Sequence, residues 1–353
     1  MDKVTASINI NRRLHGFALL TAFVTFLLIG LGGLVTSHGA GMSVPDWPNS
    51  YGYSMFAFPV SKWVGGIFYE HTHRLLASAV GLLTTILAVW LWLSDSRKWM
   101  HWLGIVAFFG VILQGVLGGL RVVLADAHLG IVHAVVGQLF LVLMCAIALF
   151  TSRFWVNLAA TSKSFSVPQS LRTLAVVATA LIFCQLIIAA TMRPAHAGLS
   201  IPDFPLAYGK LWPDTSARAV ASYNEHRVEI YAANPITAFQ VILQMVHRLI
   251  ALAIFILIAT AAWQAWRRLG KQDGLAKLAV FWVALIFVQI GLGAATIWTD
   301  KAADVATLHV MGGALSLVTG VVWCLIAFRR SAVLTETQTF GVFGVQTAMT
   351  AHK

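Results

Sequence analysis

Charged side chains are scarce in this sequence, and acidic ones most of all. Of its 353 residues, 10% are charged and only 13 are Asp or Glu, whereas 59% are hydrophobic. The mean hydropathy of +0.80 excludes a water-soluble globular domain of ordinary composition. The sequence therefore predicts an integral membrane protein.

Cysteine is equally scarce. Cys145, Cys184 and Cys324 form no C-x-x-C motif, and each falls in the middle of an apolar run. We therefore expect no disulfide, and we interpret all three as small apolar core residues.

Long apolar runs are what the sequence has in abundance. Eight of them have roughly the 20 residues that a helix needs to cross a bilayer: about 15–37, 68–93, 102–124, 128–151, 171–192, 236–263, 276–298 and 304–328. Lys and Arg are concentrated in the connections on the side of both termini, which predicts that both termini are cytoplasmic. The net charge of +11 thus reflects membrane topology and does not indicate nucleic-acid binding.

The chain contains an internal repeat. The segments 40–52 and 197–209 are identical at eight of 13 positions. Gln114 and His133 recur as Gln289 and His309, at separations of 19 and 20 residues. These matches predict an all-α membrane protein made of two tandem, pseudo-symmetric four-helix bundles, residues 1–165 and 166–353, in parallel orientation.

Four histidines stand at matching depth, within about two turns of the outer ends of their helices: His73, His133, His247 and His309. Polar groups at this depth are costly and mark functional sites. Two histidines per bundle suit axial ligation of a haem, whereas a tetrahedral zinc site needs more ligands. The alternative for each is a histidine hydrogen bonded between helices. The other histidines are excluded from the metal set: His15, His38, His71, His101, His128, His196, His226 and His352.

A polar residue lies one helical turn before the first histidine of each half. It is Glu70 before His73 and Gln244 before His247, so only the first half has an ionisable group there. We interpret Glu70 as a functional carboxylate that handles protons or stabilises positive charge. The alternative is a structural partner for an arginine or a backbone group.

An arginine follows each of these histidines, near the outer interface. Arg74 and Arg248 are expected either to pair with haem propionates or to extend to water from the helix. The sequence does not distinguish these two roles.

These motifs together resemble the haem A synthase family, membrane enzymes that convert haem O to haem A for cytochrome oxidase assembly. The resemblance covers both halves, and its carriers are 33–37, 41–48, 70–74, 119–123, 131–134, 199–205, 245–248 and 308–309. Some family members have a cysteine pair in the first outer loop, which this chain lacks between Ser37 and Pro48. A thiol–disulfide step in turnover is therefore not expected.

The resemblance implies a division of labour between the halves. Haem b would be ligated by His247 and His309, and the substrate haem O by His73 and His133. Glu70 would be the catalytic carboxylate in oxidation of the porphyrin C8 methyl group to a formyl group through hydroxylated intermediates. Haem O synthase and an electron acceptor are the implied partners, within the inner membrane of the cell or its equivalent.

Two other classes of protein fit parts of the pattern. A membrane diheme b-type electron-transfer cytochrome would bind two permanent haems, but it gives no reason for a lone buried acid beside one of them. A proton-coupled transporter would use Glu70 and the histidines as a relay and would bind no haem.

Overall fold

The computed structural model describes residues 11–161, 166–225 and 235–350, and within these ranges the regular structure is helical. The helices are α1 Arg12–Ser37, α2 Gly65–Ser94, α3 Lys98–Val123, α4 Ala127–Phe150, α5 Arg153–Thr161, α6 Gln169–Met192, α7 Ala217–Glu225, α8 Ala238–Leu269, α9 Gly274–Trp298 and α10 Ala303–Thr350. Eight of them, all except the short α5 and α7, are long and apolar enough to cross a membrane. They coincide with the eight predicted spans, which confirms a multi-pass all-α membrane protein.

Polar caps determine where several of these helices begin. Asn11 accepts hydrogen bonds from the first turn of α1, Asp126 from that of α4 and Asp273 from that of α9. Thr237 and Gln240 form a reciprocal capping box at the start of α8. Such caps satisfy backbone N–H groups that have no partner within the helix.

The eight long helices pack as two groups of four. In the first, α1 contacts α2 and α4, and α3 lies between α2 and α4; in the second, α6, α8, α9 and α10 make the same contacts. The groups meet where α10 packs on α1 and α4, and where α4 packs on α6. The predicted boundary adjoins residues 162–165, which lie outside the described ranges, so the division at 165 and the symmetry of the halves stay predictions.

Glycines of α1 allow close packing between the two groups. A Cβ atom at Gly30 would lie 2.7 Å from the sulfur of Met311, and one at Gly33 would lie 3.1 Å from Cγ2 of Thr307. Small residues let membrane helices approach each other in this way.

The two repeated outer loops have the same internal hydrogen bonds. The carboxylate of Asp46 accepts N–H bonds from Tyr51 at 2.7 Å and Gly52 at 2.8 Å, and Asp203 accepts one from Tyr208 at 2.7 Å. Burial alone would raise the pKa of Asp46, but the N–H groups of Gly52 and Tyr51 lower it below the usual value. The repeat seen in the sequence is thus a repeat of loop conformation.

The second outer loop, between α6 and α8, is longer than the first, between α1 and α2, and it contains α7. Asn224 ties this helix to the start of α8, because its side chain bonds both the N–H and the C=O of Ile236, at 2.7 and 3.0 Å. Tyr223 stacks on Tyr208 with ring centroids 3.5 Å apart. The sequence did not predict this helix. His226 and His352 lie outside the described residues.

One expectation about the cysteines is wrong. All three are free, and Cys145 and Cys324 are half-buried, but Cys184 is exposed on the surface of α6. The sequence places Cys184 at the middle of an apolar helix, yet such a helix offers no polar stripe to show which side faces the protein.

Candidate functional site

The four predicted ligands lie on the four helices α2, α4, α8 and α10, and they share an unusual feature. In each of them Nδ1 is buried and has no hydrogen-bond partner within the described residues. Buried polar atoms are nearly always paired, so four unpaired atoms of one kind require an explanation. One explanation is a ligand that the histidines bind together.

The two histidines of the second half lie close together. The ring centroids of His247 and His309 are 6.4 Å apart, and the ring planes are inclined by 65°. A metal–imidazole bond is about 2 Å long and a ring centroid lies about 1 Å from its nitrogen, so rings on opposite sides of one ion have centroids about 6 Å apart. This distance fits axial ligation of a haem iron.

Glycines of neighbouring helices leave room for the two histidine rings of the first half. His73 and His133 lie within electrostatic range of each other. A Cβ atom at Gly32 of α1 would lie 3.2 Å from Cε1 of His73, and one at Gly118 of α3 would lie 3.2 Å from Cε1 of His133. Each ring therefore lies directly against the backbone of a neighbouring helix.

The histidines of α4 and α10 have matching surroundings. The main-chain carbonyl of Gln114 lies beside the ring of His133, and that of Gln289 beside the ring of His309, both outside strict hydrogen-bond geometry. A Cβ at Gly293 would lie 3.3 Å from Cε1 of His309. A carbonyl beside an imidazole fixes the orientation of the ring.

Glu70 is buried, with 4% of its surface exposed. One carboxylate oxygen accepts the N–H of Val44 at 2.8 Å, and the other accepts a bond from Arg74 at 3.0 Å. It therefore makes the two contacts that the structural alternative predicts. Its catalytic role stays a prediction.

Gln244 shows that this anchoring does not require a charge. Its side-chain oxygen accepts the N–H of Ile201 at 2.7 Å and the hydroxyl of Ser200 at 2.8 Å. Ile201 holds the same place in the second loop as Val44 in the first. Because an amide anchors the second loop, the bond to Val44 does not require the negative charge of Glu70, whereas the ion pair with Arg74 does.

Arg74 and Arg248 donate to the outer loops of their own halves. The accepting carbonyls are those of Val44, Asp46 and Asn49 for Arg74, at 2.7–3.0 Å, and those of Asp203 and Leu206 for Arg248, at 2.8 Å. The side chain of Arg74 is only 10% exposed, so it does not extend to water. With its terminal nitrogens already bonded, a propionate contact by Arg74 stays a prediction.

Two histidines excluded from the metal set have other partners. His71 is fully buried, faces the hydroxyl of Ser50 at 3.2 Å, and packs against the ring of Trp63. His101 lies 2.6 Å from the carbonyl of Asp95. The Nε2 atom of His71 is buried without a hydrogen-bond partner among the described residues, so the contact with Ser50 accounts for only one of its two ring nitrogens, and its exclusion from the metal set stays a prediction.

Sequence reasoning missed two arginines near the histidines. The guanidinium group of Arg121 at the end of α3 lies against Gly41 and Gly130, and Arg193 at the end of α6 donates to the hydroxyl of Thr36. Arg121 belongs to the motif 119–123 already singled out, but only the structure shows that no carboxylate among the described residues pairs with it.

Comparison with known proteins identifies the family of this chain. Residues 15–321 match the family model COX15-CtaA, described as cytochrome oxidase assembly protein. A heme A synthase of Geobacillus kaustophilus is 27% identical over 84% of this chain and 86% of its own length. That of Lysinibacillus sphaericus is 26% identical over 90% and 95%, and that of Novosphingobium aromaticivorans 25% over 88% and 94%. This chain therefore belongs to the COX15-CtaA family of cytochrome oxidase assembly proteins.

Proposed function

We propose that this protein is a haem A synthase, an oxidoreductase that converts the C8 methyl group of haem O to a formyl group through hydroxylated intermediates. The observation that carries the proposal is two pairs of histidines whose Nδ1 atoms are buried and unpaired. Only the pair in the first half has an acid, Glu70, beside it. Relatives along nearly the whole chain bear the name heme A synthase.

The second half supplies the cofactor site. His247 and His309, with centroids 6.4 Å apart, would hold haem b, which supplies reversible one-electron oxidation and reduction when bound. Gln244 beside them cannot ionise, which suits a site that carries electrons and does no acid–base chemistry.

The first half would bind the substrate between His73 and His133. Oxidation of a methyl group releases electrons and protons, so a proton acceptor near the substrate accelerates it. Glu70, one helical turn from His73, would take up a proton or stabilise positive charge on the substrate. Its bonds to Val44 and Arg74 hold the carboxylate in place for that role.

The proposal extends to topology and partners. Residues 1–165 would form the substrate half and 166–353 the haem b half, with both termini cytoplasmic and the histidines toward the outer face, as the positive-inside rule predicts. Haem O synthase would deliver the substrate, and an electron acceptor would reoxidise haem b.

Identification of the bound haems tests this function. The protein is purified in mild detergent from cells that co-express haem O synthase. The haems are extracted with acid, separated by chromatography and identified by mass spectrometry. Haem b together with haem O, haem A or a hydroxylated intermediate is expected. Haem b alone would refute the proposal in favour of the diheme electron-transfer cytochrome, and a colourless folded protein would favour the transporter.

Alanine variants test the assignment of the sites. His247→Ala is expected to lose haem b, whereas His73→Ala and His133→Ala should lose the haem O-derived species and retain haem b. The control is His38→Ala, which removes an exposed histidine that stacks on Tyr69. Equal loss of both haem types from every variant would contradict two separate sites.

A further inference from the structure

Arg121 is in an unusual place for an arginine. It lies in the last turn of the membrane-spanning helix α3. A Cβ atom at Gly41 in the first outer loop would overlap its Nη2 atom, and one at Gly130 of α4 would lie 3.3 Å from its Cδ and Nε atoms. Gly130 is one helical turn before His133, so the guanidinium group lies just outside the first histidine pair.

Arg121 has no hydrogen-bond or ion-pair partner in the part of the chain that the structure describes. The ion pairs found there join Arg74 to Glu70, Arg97 to Asp95 and Arg330 to Asp273. Arg248 also has no carboxylate partner among the described residues, but it donates to loop carbonyls. Arg121 makes neither kind of contact, although its five N–H groups are obligatory donors.

The charges around Arg121 do not neutralise it. Glu70 is close enough for a long-range attraction, but its oxygens are already bonded to Val44 and Arg74. Arg193 is also within electrostatic range, and that interaction is repulsive. The guanidinium group is half-buried at the C-terminal end of α3, and an arginine there with no partner among the described residues favours an anion that the protein itself does not supply.

The repeat places this cation in one half only. The position that matches Arg121 in α9, counted from Gln114 and Gln289, is Thr296. The hydroxyl of Thr296 bonds the carbonyl of Leu292 in its own helix at 2.9 Å. The second half therefore folds with a threonine at this position, so the fold does not require an arginine there. The arginine is specific to the half with Glu70.

We infer that Arg121 binds a carboxylate substituent of the tetrapyrrole that His73 and His133 hold, and so sets the orientation of the substrate in the first half. The inference rests on the proposed function, because it needs a tetrapyrrole at that histidine pair. Arginine suits this role, since its planar fork matches a carboxylate with two parallel hydrogen bonds. Arg121 is better placed for this contact than Arg74, because the terminal nitrogens of Arg74 are already bonded to the loop.

Titration with haemin and with haemin dimethyl ester tests the contact directly. Both are added to the purified full-length protein that already contains haem b, and binding is followed by the visible spectrum of the added haem. Arg121→Gln is expected to weaken haemin binding about tenfold to a hundredfold, the range for a charge-assisted hydrogen bond to a buried group. It should leave the weaker binding of the ester unchanged, because the ester has no free carboxylate.

Two further variants make the result specific. Arg121→Lys retains the charge without the fork and should recover part of the haemin affinity. Arg218→Gln removes an exposed cation of α7 from the second outer loop and should leave both affinities at the wild-type value. Retention of haem b and a single size-exclusion peak show that each variant is folded.

The remaining outcomes overturn the inference in distinguishable ways. If Arg121→Gln leaves haemin binding intact, or weakens haemin and its ester by the same factor, Arg121 does not bind a carboxylate, while the proposed function stands. If the wild-type protein binds no added haemin, or His73→Ala does not reduce that binding, the first-half substrate site itself is wrong and both proposals fail.

Discussion

Replacement of Glu70 separates its two roles, the loop anchor and the proton acceptor. Glu70→Ala removes the acceptor for Val44 N–H at 2.8 Å and for Arg74 at 3.0 Å. Breaking a buried ion pair by removing one partner costs about 3–5 kcal/mol, so this variant should be strongly destabilised. Glu70→Gln retains an oxygen for Val44, as Gln244 does for Ile201 at 2.7 Å, but it loses the ion pair with Arg74. Its cost should be about 1.5–3 kcal/mol, the range for a hydrogen bond to a charged group, and smaller than that of Glu70→Ala.

The assay measures stability and chemistry on the same preparations. Thermal unfolding in detergent gives the stability, the visible spectrum gives haem b content, and extraction gives haem A from cells that co-express haem O synthase. Glu70→Gln is expected to fold and retain its haems but to form haem A about 100-fold more slowly, or slower still, because general acid–base catalysis contributes that much. Asp214→Asn, which removes an exposed acid from the second outer loop, is the control for lost charge.

Two results would refute this reasoning. Haem A formation by Glu70→Gln at the wild-type rate would show that the carboxylate is only a loop anchor. Destabilisation of Glu70→Gln equal to that of Glu70→Ala would show that anchoring requires the charge, contrary to the parallel with Gln244.

Three further predictions concern packing, pH and thiols. Gly119→Ala should lower the unfolding midpoint, with a loss of about 1–3 kcal/mol, because a Cβ would overlap the indole ring of Trp47; a double variant with Trp47→Phe should recover part of that loss, and an unchanged midpoint would contradict the contact. Burial alone would raise the pKa of Asp273, but bonds from Arg330 and from the N–H of Leu275 lower it. Its stabilisation is therefore present above about pH 4 and is lost as pH falls through the lowered pKa; Asp273→Asn should remove that acid-dependent part of unfolding, and identical pH profiles would contradict it. Because the first outer loop has no cysteine, reductant should leave haem A formation unchanged, and an effect of dithiothreitol on turnover would require a thiol step after all.

The sequence by itself determined the membrane architecture of this protein. The eight spans follow from the length and composition of the apolar runs, since an isolated stretch of about 20 such residues forms a helix in a bilayer whatever its neighbours are. The depth of His73, His133, His247 and His309 follows from their positions within those runs. The duplication of the loops was also readable, because identical residues at identical spacing form the same hydrogen bonds.

Only the tertiary structure decided which side chains meet. Glu70 and Gln244 proved to be loop anchors, and Arg74 proved to be bonded to loop carbonyls, because each contact joins residues more than 20 positions apart in sequence. Cys184 was misplaced because an apolar membrane helix has no stripe that separates its lipid face from its protein face. Arg121 gained its significance in the same way, since the lack of a partner is a property of the packed helices and their loops, which the local sequence does not contain.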